Sequence, residues 1–401
     1  MRLPVAELLS IAEALRLVLA RTSPLAAESV SIETAAGRVL AEDATARVDL
    51  PPFPSSAMDG YAVRSVDTPG ALRVSGRVAA GAPASSPLRR GEAMGIATGG
   101  VVPEGADAVA PIEVVVERDN DTIEVASVDA GAHIRLRGSD IGAGEVIVRA
   151  GTRLGPAHLG ALAAAGVAEA RCHRRPHATV VATGSELRPP GVPLAPGEIY
   201  EANGLILQTQ LAGAGAHVER LPAVPDDEDA HRRALSRALA ADLVVTSGGV
   251  SVGPHDLVRR VEAELGVEEI FWRVAVKPGK PIAFGVRGST LVFGLPGNPV
   301  SALVGFELFV RPAVLALQGI ADPQPPFRRG TLRGSRRRSL QRDELIRARL
   351  RPAGAGVELE PLTGQESHMI ARSAAADALV LVPRGEGELP DGAEVDYLPL
   401  S

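Results

Sequence analysis

The chain has 401 residues, of which 45% are apolar and 22% charged, and its formal net charge is −6. That length calls for two to four domains, and the charge balance lacks the basic field of a duplex nucleic-acid binder. The single cysteine, Cys172, excludes an internal disulfide and any multi-cysteine zinc or iron–sulfur centre.

Residues 1–25 read as an amphipathic helix, with Pro4 near its first turn and Leu8, Leu9, Ala12, Leu15 and Leu19 at helical spacing. Glu7, Glu13 and Arg16 interrupt any signal-peptide core, and no uninterrupted apolar run reaches membrane-spanning length. A cytoplasmic address without membrane contact is the expectation. Residues 29–50 look like short extended pieces, stopped by Pro51, Pro52 and Pro54. Short strands separated by Gly- and Pro-rich turns fill 60–135, most clearly Ala71–Val78 and Thr122–Val128, and predict a small all-β domain. An alanine-rich helix over Leu159–Ala170 is expected to pack beside the first, making the β domain an insertion into a discontinuous first domain.

The texture changes after Arg175. Apolar runs at His177–Ala182, Asp242–Thr246 and Thr290–Leu295 alternate with helical patterns behind Asn203 (Leu205, Leu207, Leu211) and over 227–240, and Val218 opens a further strand-like piece. This predicts an α/β domain with a parallel sheet and helices on both faces, whose ligands bind beyond the carboxyl ends of the strands. Thr183-Gly184, Ser247-Gly248-Gly249 and Pro296-Gly297 fall at those ends. Pro323–Arg329 reads as a linker. Strands at Ile346–Leu350, Val357–Leu359, Ala378–Val382 and Val395–Leu398 then predict a small β domain or barrel. The Arg336-Arg337-Arg338 run reads as a solvated face.

Several segments could carry chemistry. The 42 basic residues include only two lysines, Lys277 and Lys280, both in KPGKP at 277–281. A compact ammonium grips one oxygen or phosphate in a tight turn where a planar guanidinium does less well; codon bias is the plain alternative. TSGGVSVGPHD at 246–256 offers backbone N–H groups at two adjacent glycines, hydroxyls from Ser247 and Ser251, and Asp256 for a cation or a water. The alternative is an ordinary strand–turn–helix joint. In LPGNPV at 295–300, Asn298 suits an N-cap and Pro299 the first helical position, so a phosphate could dock at that helix start, or it is simply a well-made terminus. TGSE at 183–186 supplies Thr183, Ser185 and Glu186, the last a metal-binding or base candidate unless it only answers the helix dipole. Asp59 in PSSAMDGY reads on its own as a structural Asp-Gly turn. Asp140 and Thr98 decide nothing alone. The HExxH, Walker and GxGxxG patterns are absent.

In order along the chain stand PPFPSSAMDGYAV (51–63), ATGGVVPEGADAV (97–109), RLRGSDI (135–141), GTRLGPAHLGALAAAGV (151–167), ATGSEL (182–187), SGGVSVGPHD (247–256), FWRVAVKPGKPIAFG (271–285) and GLPGNPVSA (294–302). On these segments the chain resembles the molybdopterin molybdenumtransferases of bacteria and the matching C-terminal domain of gephyrin. The resemblance implies a discontinuous helical domain (1–50 and 142–174), an inserted β domain (51–141), an α/β domain related to molybdopterin adenylyltransferases (175–320) and a C-terminal β barrel (321–401). It implies insertion of molybdenum from molybdate into adenylylated molybdopterin, release of AMP, and Mg²⁺ assistance. It also implies a homodimer with its cleft formed across subunits, and contact with a molybdopterin adenylyltransferase. The family's acids correspond to Asp59, Asp140, Glu186, Asp226 and Asp256, with Glu186 and Asp256 toward the metal; its threonine falls on Thr98 and its active-site cations on Arg273 and Lys277. Thr183, Ser247, Gly248, Gly249, Ser251, Lys280, Pro296, Asn298 and Ser367 complete the expected substrate contacts. Two departures stand out: Ser185 where many relatives carry Asp, and Arg273 where some carry Lys. The competing readings are a pterin adenylyltransferase, against which the 51–63 segment and the extra domains argue, and a scaffold, against which the retained acids and both lysines argue.

Overall fold

The computed structural model describes residues 8–118, 121–249, 257–354 and 356–400. The chain divides into two units: Met1–Glu28, Gly37–Ala41 and His173–Ser401 form one, Ser29–Ala36 and Glu42–Cys172 the other. In the first unit, helix α1 (Ile11–Ala20) starts later than its spacing predicts. Ser10 Oγ accepts the Glu13 N–H at 3.2 Å, and the Glu13 carboxylate accepts the Ser10 N–H at 2.9 Å. This reciprocal pair satisfies two donors that have no partner inside the helix. Leu8 and Leu9 therefore stand outside it, and the Leu9 carbonyl accepts the Ala275 N–H at 2.7 Å instead. Pro4 lies outside the described residues.

The second unit is built on a six-stranded sheet of β1 (Gly60–Val63), β2 (Gly70–Val78), β3 (Glu92–Ile96), β4 (Ala108–Pro111), β5 (Val115–Arg118) and β6 (Thr122–Val125). The strand order is β4-β1-β3-β2-β6-β5, antiparallel except for β2 with β3. Tyr61, Val63 and Ala93 enter one small core, and Ala62, Met94 and Ile96 the other, so the period-two alternation of a strand covers both faces. Helix α2 (Pro156–Ala164) is shorter than the predicted Leu159–Ala170 segment and is followed by a strand at Glu169–His173. The reason is Gly166, whose φ of +78° ends the helix in a left-handed turn.

The α/β part of the first unit runs β7 (His177–Ala182), α3 (Asn203–Gly213), β8 (His217–Arg220), α4 (Glu228–Ala238), β9 (Leu243–Ser247), α5 (Leu257–Glu264), β10 (Glu268–Trp272), β11 (Val276–Lys277), β12 (Ala283–Arg287) and β13 (Thr290–Leu295). Its sheet has the order β8-β7-β9-β13-β12-β10. The first four strands are parallel, as predicted. The last two are antiparallel, which corrects the expectation of a wholly parallel sheet. The cause is local: β12 and β13 are joined by the two-residue turn Gly288-Ser289, with Gly288 at φ +59°. Val180, Val245 and Phe293 face the core that holds α1 and α3, while Val181, Val244 and Val292 face α4. Each such buried side chain contributes about 1.5–3 kcal/mol.

Pro299–Leu317 is one helical stretch of 19 residues, and among the described residues it alone is long and apolar enough to cross a membrane. Its 78% burial inside the protein accounts for that composition. It opens with α6 (Pro299–Gly305), passes through a π turn at Phe306–Val310, and ends with α7 (Arg311–Leu317). Pro312 has no N–H to give and crowds the preceding turn, which widens there. Beyond it, β14 (Arg328–Leu332), β15 (Asp343–Ala353), β16 (Gly356–Pro361), β17 (Ala378–Val382) and β18 (Glu394–Pro399) close into a five-stranded barrel. The circuit is β15-β16-β14-β18-β17 and back to β15. Strand β14 begins inside the segment read as a linker.

Candidate active site

Three loops meet at the carboxyl ends of β7, β9 and β13. Thr183 donates its N–H to the Ser247 carbonyl at 2.9 Å, and Gly248 donates to the Leu295 carbonyl at 3.1 Å. Gly248 and Gly249 have φ of +98° and +66°. A Cβ on Gly248 would lie 2.6 Å from the Thr183 carbonyl oxygen, so only glycine lets these strand ends approach. Ser185 and Asp226 bond reciprocally: the Ser185 N–H donates to Asp226 Oδ2 at 3.2 Å, and the Asp226 N–H to Ser185 Oγ at 2.8 Å. The hydroxyl at 185 thus fixes a neighbouring carboxylate where a second acid would repel it.

Two adjoining clefts open above these loops. One of about 490 Å³ is lined by Thr183, Gly184, Glu186, Ile199, Asp226, Gly248, Gly249, Pro281, Pro296, Gly297 and Asn298. The other, of about 240 Å³, shares Thr183, Glu186, Ile199, Gly297 and Asn298 and adds Ser247, Tyr200, Asn203 and His368. Asn298 occupies the N-cap position of α6 as predicted, but its side chain does not cap the helix. It donates instead to Ser367 Oγ at 2.8 Å, while the Ser367 carbonyl accepts the Val300 N–H at 3.1 Å. A barrel loop thereby takes over the task of the cap. Buried Arg347 steadies that loop, donating to the carbonyls of Met369 at 2.5 Å and Gly364 at 2.6 Å.

The lysine turn sits beside this cleft. Pro281 lines it, while Lys280 is exposed and its carbonyl accepts the Val274 N–H at 3.0 Å. Lys277 is paired with Glu344 of the barrel at 3.1 Å. Arg273, at φ +82°, lies over the Trp272 ring, 3.7 Å from its centroid. None of the three cations lines either cleft.

Asp59, Thr98 and Asp140 belong to the second unit. Asp59 Oδ1 accepts the Thr98 N–H at 2.8 Å, which joins two of the predicted residues directly. Asp140 is exposed, and its N–H donates to the Leu50 carbonyl at 2.9 Å. Ser251 and Asp256 lie outside the described residues.

Glu186 and Asp226 bring two carboxylates to one cleft, and among the described residues no group of three His, Cys, Asp or Glu side chains converges on a metal position. Two carboxylates with a substrate phosphate are what Mg²⁺ ordinarily takes, so this donor set fits that ion. Sequence reasoning missed Tyr200, His368 and Asn203 as cleft residues. In the sequence, Asn203 stands out only as the residue before a helical pattern. It begins α3 and is buried, and its Nδ2 donates to Ser247 Oγ and to the Gly297 carbonyl, both at 2.8 Å.

Three family descriptions match consecutive stretches: "MoeA N-terminal region (domain I and II)" over 9–166, "Probable molybdopterin binding domain" over 179–316, and "MoeA C-terminal region (domain IV)" over 329–400. A molybdopterin molybdenumtransferase of Haemophilus influenzae is 35% identical over 384 residues, covering 94% of this chain and 95% of its own. Molybdopterin molybdenumtransferase 2 of Mycobacterium tuberculosis is 37% identical over 390 residues, covering 93% and 95%. Two solved structures of the molybdopterin biosynthesis MoeA protein from Pyrococcus horikoshii superpose with a TM-score of 0.84, at 32% and 29% identity. Each covers 98% of this chain and 100% of its own.

Proposed function

Since the chain belongs to the molybdopterin molybdenumtransferase (MoeA) family, we infer that it inserts molybdenum from molybdate into adenylylated molybdopterin and releases AMP. The observation that carries this reading is the similarity to transferases along nearly the whole chain. The decisive experiment incubates the purified protein with adenylylated molybdopterin, Mg²⁺ and molybdate. AMP release that requires molybdate, together with formation of active cofactor, is expected. AMP release without insertion, or neither, overturns the reading.

The chemistry asks for two anions, an oxyanion and a diphosphate, to be held together against their repulsion. Lys277, Lys280 and Arg273 offset that repulsion from the turn beside the cleft. The amides around Gly248 and Gly249, with Thr183, Ser247, Ser251, Pro296, Asn298 and Ser367, seat the phosphate and pterin region. Glu186 and Asp226, together with Asp256, hold Mg²⁺. When bound, that ion supplies Lewis-acid polarisation of a phosphoryl oxygen. Ser185 keeps Asp226 oriented. Asp59 holds the Thr98 loop and directs a carboxylate at the reacting groups, with Asp140 from the same unit. The working form in this reading is a cytoplasmic homodimer whose cleft takes residues from both copies. It receives its substrate by contact with a molybdopterin adenylyltransferase, an enzyme related to the α/β domain.

A further inference from the structure

The chain is poor in aromatic residues, with one Trp, three Tyr and seven Phe. Most of these rings stock the cores, among them Tyr61, Tyr397, Phe284 and Phe293, and Trp272 lies beneath the guanidinium groups of Arg259 and Arg273. Tyr200 does neither. It is 46% exposed and lines the smaller cleft.

Its position is nevertheless fixed. Leu187-Arg188 and Ile199-Tyr200 form a two-residue parallel ribbon, with Leu187 opposite Ile199 and Arg188 opposite Tyr200. The Ile199 N–H donates to the Glu186 carbonyl at 3.0 Å and the Glu201 N–H to the Arg188 carbonyl at 2.8 Å. Arg188 pairs with Glu198 at 2.6 Å. The phenol donates to the Val192 carbonyl at 2.8 Å, so the ring is tethered at both ends. A half-exposed aromatic ring held this way loses little freedom when something stacks on it.

The rest of that cleft suits a flat, partly apolar group. Leu187, Ile199 and Ala202 supply aliphatic surface, and the His368 imidazole reaches the same space from the barrel. The cleft continues through Thr183, Glu186 and Gly297 into the larger one, where the carboxylates and the double glycine lie. We propose that Tyr200 is a stacking platform for a planar heteroaromatic ring of the substrate, placed next to the subsite for its diphosphate. This rests on the functional reading above. The substrate offers two such rings, the adenine and the pterin, one at each end of the diphosphate, and either meets the chemistry of the cleft.

The test measures binding of AMP, of 6-hydroxymethylpterin and of ribose 5-phosphate to the full chain by calorimetry, for the wild type, Tyr200→Ala and Tyr200→Phe. Loss of one stacked ring weakens binding by about tenfold or more. Tyr200→Ala is therefore expected to weaken AMP or the pterin, whichever ring the platform takes, by about that factor. Tyr200→Phe keeps the ring and should stay within about threefold of wild type, and ribose 5-phosphate should not respond to either change. Wild-type binding of AMP and the pterin that Tyr200→Ala leaves unaltered, with the circular dichroism spectrum intact, overturns the stacking role and spares the transferase reading. Failure of the wild type to release AMP from adenylylated molybdopterin in the presence of molybdate overturns both.

Discussion

Asp59 offers a clean separation of charge from shape. Its Oδ1 accepts the Thr98 N–H, and the amide oxygen of Asn accepts the same bond. Asp59→Asn should therefore leave the melting temperature unchanged while slowing molybdate-dependent AMP release by about a hundredfold; a variant as fast as wild type would remove Asp59 from the chemistry. Asp242 is a stability residue instead. Burial works to raise its carboxyl, but Arg174, bonded through both nitrogens at 2.7 and 2.6 Å, and the His177 N–H outweigh it and hold the group below its ordinary 3.8. A folded value below the unfolded one means that the stabilisation is complete above the unfolded value. It is lost as pH falls through the folded value. Asp242→Asn should thus lower the thermal midpoint by about 4 °C at pH 7, with the gap narrowing as pH is taken below the carboxyl's ordinary 3.8; a gap that stays constant over that range contradicts the ion pair's role. Glu186, Gly248 and Lys277 could be picked out from sequence because each lies in a short run with a mechanism of its own. Asn203 could not, because its partners Ser247 and Gly297 are 44 and 94 positions away and no local pattern announces them.

At the level of elements, the turn after β9 is the most constrained. Gly248→Ala puts a methyl group against the Thr183 carbonyl at a φ of +98°. It should cost about 1–3 kcal/mol and most of the activity, read from melting and AMP release; a stable, active alanine variant would show that the strand ends can part. Ser10→Ala removes one half of the reciprocal cap on α1 and should cost about 1 kcal/mol, seen as faster amide exchange confined to Ile11–Ala20. Exchange left at the wild-type rate would mean that packing alone holds that helix. Strands β7, β13 and β17 were visible in advance at their observed bounds, since each is a buried apolar run with turn residues nearby. The two-residue strand β11 was not. Its pairing with β15 is made across 67 residues, and two residues carry no periodicity. The antiparallel edge of the α/β sheet was hidden for a similar reason: periodicity speaks of burial, while strand direction follows from the two residues of a turn.

For the molecule as a whole, the homodimer proposed above, if its cleft is completed by a partner copy, makes a definite forecast. Asp59→Asn and Lys277→Ala, each expected to be strongly impaired alone, should recover roughly a quarter of wild-type activity when unfolded and refolded together, because half of the mixed dimers' sites carry both native residues. No recovery, with dimers present by light scattering, places the two residues in service of the same copy's site. The barrel's share in the site is already visible in Ser367, His368 and the Glu344 partner of Lys277. That last pairing has a consequence for how the protein comes into being. Synthesis delivers every strand of the α/β sheet before Glu344 has left the ribosome, so the emerging polypeptide owns its glycine turns early but has nothing to moor the ammonium to. The ion pair between sheet and barrel can form only once the strand that carries Glu344 has been made, and a chain stalled short of it has an unanchored lysine.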